Sequence, residues 1–430
     1  MALKRDFVVW HKEAELLRPA KPTPQEIKEL SDIDDQKGLR LHFCMVMFYR
    51  ANPLMKAKDS VKVIRDAFAE ALVWYYPLAG RLIHHGPKDK FMVDCSAQGI
   101  SFIEADCNFS MEDLGDAVNR HVFTPKSSCI KCLALMRCLA QFVKAVGEFA
   151  QGASSPSIIP VWRRQLLTAK HLPLRTTYDQ TQYGLETHEI DATTMDHQNL
   201  VSGSFFFGPK EMKALRQKLP LSQTQPNSKF DLITACIWIC RTRALEFAGD
   251  ETVAVICTMN ARDKGPLELR HGYYGNAVVF PAAVGKAGRL LCDNKLSLEY
   301  AVKLIEKAKS RVSEDYVRWE VEFMGSKGRP AFLRSRGCFV ATDLSRLGFD
   351  EMDFGWGRPV YGGTMDGGGS ATAITHARYR NSDGEDGVVV PVFLPAAAMK
   401  RFEAEMKKLT ALEPREVVGI QCKSPLKSAL

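Results

Sequence analysis

Apolar positions along the chain switch repeatedly between spacings of three and four and short alternating or continuous blocks. That pattern predicts helices and strands interleaved from one end to the other. Val61, Ile64, Phe68, Leu72 and Tyr75 share one helical face, with Asp59 placed to cap the helix and Pro77 and Gly80 to stop it. Leu139, Phe142, Val143, Val146 and Phe149 trace a second amphipathic helix that ends near Gly152. Ser228 caps a helix running from Asp231 towards Phe247, and Leu298, Val302, Ile305 and Val312 mark a long one. Met399 to Leu409 reads as a closing helix, with Lys407 and Lys408 in its final turns where cations suit the dipole. Between these lie strand-like blocks at Leu41 to Tyr49, Ser204 to Phe207, Val253 to Thr258 and Val388 to Leu394. The expected class is mixed α/β, without repeats of solenoid period. A polar, proline-marked stretch from Ser154 to about Leu200 lacks periodicity and is the expected connection between two domains, 1–190 and 200–430.

Composition narrows this picture only a little. A chain of 430 residues exceeds one small core, and 46% hydrophobic with 25% charged residues is the balance of a soluble globular protein. No apolar run has the length of a membrane span, and the run from Phe7 to Trp10 is too short for a secretory segment. A cytoplasmic monomer is expected. The net charge of +8 is spread without a basic block, which gives no nucleic-acid signature but would suit a polyphosphate ligand drawn into a cleft. Most of the twelve cysteines, among them Cys44, Cys236, Cys240, Cys257 and Cys338, sit singly in apolar runs as reduced core residues do. Cys129 and Cys132 form a lone C-x-x-C downstream of His121. With no second pair to complete a zinc site, no metal is expected.

The strongest motif is Asp353-Phe354-Gly355-Trp356-Gly357, an acid ahead of two glycines that flank a tryptophan. Physically it suggests a tight turn wrapped around a large buried ring. As a string it resembles the C-terminal signature of the BAHD acyl-CoA-dependent acyltransferases of plants. Further similarities run in order along the chain: Ala20-Lys21-Pro22-Thr23-Pro24 with Leu30-Ser31-Asp32-Ile33-Asp34, then Tyr76-Pro77-Leu78-Ala79-Gly80-Arg81-Leu82. Asn260-Ala261-Arg262 and Gly272-Tyr273-Tyr274-Gly275-Asn276-Ala277 complete the set, which is most similar to the branch that makes benzoyl and related esters of alcohols. The resemblance implies two domains of chloramphenicol-acetyltransferase-like fold with mixed sheets and a channel between them. It also implies acyl-CoA as co-substrate rather than bound cofactor, and an alcohol as acceptor. A histidine in a His-x-x-x-Asp motif would take the acceptor's proton as its oxygen attacks the thioester carbonyl. Asp353 would pair with an arginine, for which Arg262 is the expected partner.

The chain departs from that pattern at its centre. The only His-x-x-x-Asp is His85 to Asp89, in a Gly- and Pro-marked turn right after Gly80-Arg81-Leu82, and it reads as a coincidence of spacing. Where the family motif belongs, Cys132 to Cys138 resembles a strand ahead of it and Leu139 onward the helix behind it. The strand and catalytic histidine between them are missing, within a domain truncated around 118–139. No catalytic residue is therefore assigned. Loss of a general base costs roughly two to four orders of magnitude in rate. Activity is expected to be impaired. The alternative is a non-catalytic family member, or a defective gene model, retaining only a CoA-like or partner-binding surface. The segment Ile130 to Cys138 is expected as a strand joined almost directly to the following helix. His188, His197 and His376 read as surface or hydrogen-bonded polar residues. Tyr361-Gly362-Gly363-Thr364 and Gly367-Gly368-Gly369-Ser370 match no phosphate loop or nucleophile elbow.

Overall fold

The computed structural model describes residues 8–412, apart from 41–44, 86–89, 115–135, 171–177, 179–198, 221–227, 263–268, 270, 329–334 and 365–371. Helix α1 (Ser60–Trp74) forms where the apolar face predicted it. Asp59 caps it by accepting from the amides of Val61 and Lys62 at 3.0 and 3.1 Å. Helix α2 (Met136–Ala150) follows the second amphipathic pattern but starts earlier than expected. Met136, Arg137 and Cys138 are its first turn and not the end of a strand, so Cys138 and Leu139 are consecutive residues of one helix. The rest of the expected strand, 130–135, lies outside the described residues.

The C-terminal part is organised by one six-stranded mixed sheet. Its strands are β2 (Leu200–Phe207), β3 (Thr252–Cys257), β4 (Ala282–Lys286), β5 (Cys338–Asp343), β7 (Ala373–Arg380) and β8 (Asp386–Pro395), while β1 (Met45–Phe48) and β6 (Tyr361–Thr364) pair with each other outside it. The order across the sheet is β4-β3-β5-β7-β8-β2, with β3–β5 and β5–β7 parallel and the other pairs antiparallel. All six residues of β3 are buried, as expected of a continuous apolar block covered on both faces. Val253, Val255 and Cys257 meet helices α3 (Lys229–Ala244), α4 (Asn294–Ser310) and α6 (Ala396–Leu409) on one side. Ala254 and Ile256 meet α5 (Glu314–Ser326), Ile33, and Leu39 and Leu167 of two short 3-10 turns on the other. The long helix expected through Val312 stops at Ser310, and Val312 sits in the turn into α5.

The N-terminal part carries small antiparallel sheets: Val9–His11 with Ala105–Cys107, Glu15–Leu17 with Ile100–Phe102, and Lys90–Asp94 between Ile27–Glu29 and Arg81–His85. Strand β1 runs antiparallel to β6, with Phe48 opposite Tyr361 and Met45 opposite Thr364, so an early segment is clasped by a late one. Among the described residues no helix is long and apolar enough to cross a membrane. The stretch from Ser154, expected as a connection, is not uniformly exposed: Arg164 and Leu167 are fully buried, because Arg164 finds a carboxylate and Leu167 joins the core beneath α5.

Candidate functional site

Helix α2 buries Leu139, Phe142, Val143 and Val146, together with Cys138, Ala140 and Ala145, against α1 and the loops of the C-terminal part. Phe142 packs its ring 5.7 Å from Phe68 and 5.3 Å from Tyr75, both on or just after α1. Tyr75 in turn meets Tyr274 edge-on at 5.2 Å, and Tyr274 meets Trp162 at 5.7 Å. Gln141 donates from Nε2 to the Tyr75 hydroxyl and to the Gly272 carbonyl, each at 3.1 Å. Helix α2 therefore joins α1 to the Gly272–Ala277 loop.

The last turns of α2 hold the Asp353–Gly357 loop. Gly147 packs so closely on the Asp353 carbonyl that a Cβ there would stand 2.7 Å from the oxygen, and Gln151 Nε2 donates to the same carbonyl at 2.8 Å. The Asp353 carboxylate does not reach Arg262. One of its oxygens accepts from the amides of Gly355 and Gly357 at 2.6 and 2.9 Å. Both glycines have positive φ, 100° and 97°, which turns their N–H groups inward onto the acid. Local amides thus satisfy a charge that the sequence assigned to a distant arginine. Arg262 instead donates to Asn260 Oδ1 at 3.1 Å and to the carbonyls of Tyr273, at 3.3 Å, and Gly275. The buried ring of the loop is also not the expected one. Phe354 is buried and meets Tyr49 edge-on at 5.5 Å, whereas Trp356 is only half-buried. Tyr49 donates to the Met352 carbonyl at 2.8 Å, and burial pushes its hydroxyl well above the usual phenol range.

A buried ion pair escaped the sequence reading. Asp34 and Arg164 are each 3% exposed, with Arg164 Nε 2.6 Å from Asp34 Oδ2. That nitrogen has no aligned hydrogen bond, so attraction between charges rather than a directed N–H···O bond links the two. Asp34 also accepts from the Asn276 amide at 2.7 Å and from the Ser31 hydroxyl at 2.8 Å. Arg164 donates to the Trp162 carbonyl at 2.9 Å and lies 4.0 Å above that residue's ring. One charge pair therefore ties three segments together: 31–34, 162–164 and 273–276. Ser31-Asp32-Ile33-Asp34 was legible only as a resemblance, and Arg164 stood in a stretch read as polar connection.

The remaining chemistry-bearing residues are dispersed. His85 is the last residue of the strand Arg81–His85, opposite Lys90, and Asp89 lies outside the described residues. His121, Cys129, Cys132, His188, His197 and 367–370 lie outside them too. Among the described residues no group of three or more His, Cys, Asp or Glu could hold a metal ion. His376 is buried on β7, 3.4 Å from Thr234 Oγ1 and against the Phe230 ring. Burial lowers it from the usual 6.5 to about 4, and the carboxylates of Asp343 and Asp231 offset this only in part. A neutral imidazole in the fold and a chargeable one in the unfolded chain give a definite sign. Stability should be unaffected above pH 6.5, fall as the pH drops towards 4, and level off below. Urea midpoints of the parent and of His376→Gln across that window check this, since the variant should lose that part of the slope.

A cavity of about 180 Å³ opens beside α2, bordered by Gln141 and Lys144 of the helix, Arg262, the segment His271–Tyr273, Arg346, Leu347 and Met352. It lies next to the Asp353–Gly357 loop, which Met352 leads into.

With this geometry in hand, the chain was compared with known proteins. A family model described as the Transferase family matches residues 7–127 and 136–409, leaving 128–135 unmatched just ahead of α2. Alcohol acyltransferase 16 of Actinidia chinensis var. chinensis is 41% identical over 443 aligned positions, covering 94% of each chain. As 443 positions exceed what 94% of 430 residues can fill, that relative carries internal residues with no counterpart here. Benzyl alcohol O-benzoyltransferase of Nicotiana tabacum is 41% identical over 93% of each chain. The crystal structure of vinorine synthase shares the fold with a TM-score of 0.69 at 20% identity, over 94% of this chain and 98% of that one. That of TRI101 of F. sporotrichioides, complexed with coenzyme A and T-2, does so at 0.67 and 13%, over 89% and 98%.

Proposed function

Because the chain belongs to the Transferase family, the BAHD acyl-CoA-dependent acyltransferases, we propose that its reaction class is transfer of an acyl group from a CoA thioester to an alcohol, and that this chain performs it poorly or not at all. The first half of the proposal draws on the alcohol acyltransferases and the benzoyltransferase among its relatives, and on a solved neighbour that holds coenzyme A. The second half rests on one observation: the family match breaks over 128–135, and no His-x-x-x-Asp stands near that break. Without a histidine to accept the alcohol's proton, the neutral hydroxyl is a weak nucleophile towards a thioester carbonyl. The one match to the motif, His85 to Asp89, starts at the end of a hairpin strand of the N-terminal part.

The test is an assay of free-thiol release. Purified chain with benzoyl-CoA or acetyl-CoA and benzyl alcohol should release CoA no faster than the mixture without protein. Calorimetry with CoA alone then separates an impaired enzyme that keeps its donor site from a chain that has lost it. Turnover at the rate of an ordinary enzyme, abolished by His85→Ala, would overturn the second half of the proposal.

A further inference from the structure

We propose that the cavity beside α2 is a binding site for a phosphate group carried on a partly apolar molecule. Its positive charge comes from three separate pieces of chain, Lys144 from the middle of α2, Arg262 after the strand Met259–Asn260, and Arg346 after β5, with the imidazole of His271 beside Gly272 as a further polar group. Among the described residues that line it none is acidic. Positive groups brought from several elements to one concave surface focus a positive potential there, and an anion relieves their mutual repulsion.

The donors are also available. Arg346 and His271 are exposed and make no hydrogen bond or ion pair among the described residues. Lys144 has only a loose contact, 3.8 Å from Glu148, and it is half exposed. The Glu148 carboxylate is committed elsewhere, accepting from the amide of Ser157 at 2.8 Å and from the hydroxyl of the same residue. Lys144 can therefore turn into the cavity without leaving a carboxylate bare. Arg262 plays a different part. Its guanidinium is locked by Asn260 and by the carbonyls of Tyr273 and Gly275, so its charge is fixed in the cavity wall.

Chemistry selects the ligand. Donors supplied by separate elements suit a phosphate dianion, which offers more acceptor oxygens and more charge than a carboxylate. A volume of about 180 Å³ leaves room beyond the phosphate itself. Leu347, Met352 and Ile158 give the rest of the cavity an apolar side against which an organic carrier can lie.

Inorganic phosphate is the probe. Titrated calorimetrically into the full chain at low ionic strength, it should bind, and it should raise the thermal midpoint where acetate at equal ionic strength does not. Lys144→Glu and Arg346→Glu, both at exposed side chains, should each weaken phosphate binding about tenfold and remove most of the rise that phosphate gives to the midpoint. Lys303→Glu, on helix α4 outside the lining of the cavity, should leave phosphate binding unchanged. No heat of binding, replacement of phosphate by acetate, or affinity unmoved by both charge reversals would overturn the site. CoA and 3′-dephospho-CoA identify the carrier. Displacement of phosphate by CoA but not by 3′-dephospho-CoA assigns the group to the 3′-phosphate, equal displacement by both assigns it to the diphosphate, and displacement by neither assigns it to another phosphate carrier. Only this last comparison depends on the acyl-CoA reading, so its failure leaves the phosphate site standing.

Discussion

Replacing Asp34 with Ala should cost about 3–5 kcal/mol of folding stability, a large share of what a natural domain has. The reason is what the substitution leaves behind. Arg164 is 3% exposed and cannot turn to water, and it would keep its charge without the carboxylate 2.6 Å away. The Asn276 amide and the Ser31 hydroxyl would lose their acceptor at the same time. Urea unfolding followed by tryptophan fluorescence measures the loss. The double variant Asp34→Leu, Arg164→Met removes both charges and should recover most of it, since an apolar pair of similar volume is often as stable as a buried ion pair. A loss below about 1 kcal/mol for the single variant would mean that the pair is solvated and does not brace the three segments.

Phe142→Ala should be nearly as damaging, at about 3–5 kcal/mol, through lost burial and the cavity left between Phe68 and Tyr75. This variant asks whether α2 is still locked in place directly behind the stretch where the family match breaks. Phe149 lies on the same helix but is only partly buried, and Phe149→Ala should cost clearly less. Equal, small losses for both would mean that α2 is loosely attached despite its apolar face.

How much of this was legible in the sequence depended on whether the deciding contact was local. Helix α1 was legible because its cap, Asp59, and its apolar face are properties of consecutive residues. Strand β3 was legible as a continuous apolar block between turns. Helix α5 was not read, because Glu314, Asp315, Glu320 and Glu322 dilute the apolar spacing of Tyr316, Trp319 and Phe323. Its identity comes from the sheet face it covers. In the candidate site the motif string was legible as a tight turn, since Gly355 and Gly357 have the positive φ it needs, but not as to the ring it buries. The string does not say which ring goes inward, and Phe354 rather than Trp356 does so because Tyr49 lies there to receive it. Nor does it show that two glycines can turn their own amides onto Asp353, which leaves Arg262 to the carbonyls of a neighbouring loop. Arg164 was hidden for the opposite reason: its partner, Asp34, is far away in the chain, and only the fold brings them together.

The clasp between β1 and β6 sets a schedule for the newborn chain. Met45 to Phe48 leave the ribosome about 310 residues before the strand that completes their ladder, Tyr361 to Thr364. At roughly 5–20 residues per second the wait is on the order of 15 to 60 seconds. Throughout that interval the N-terminal part holds an apolar strand with an open edge, a template for pairing with any other extended chain nearby. Closing so long a loop is also slow in refolding, since its entropy is lost before the ladder forms. The same clasp that fastens an early segment to a late one therefore leaves Met45 to Phe48 without a ladder partner until Tyr361 to Thr364 arrive.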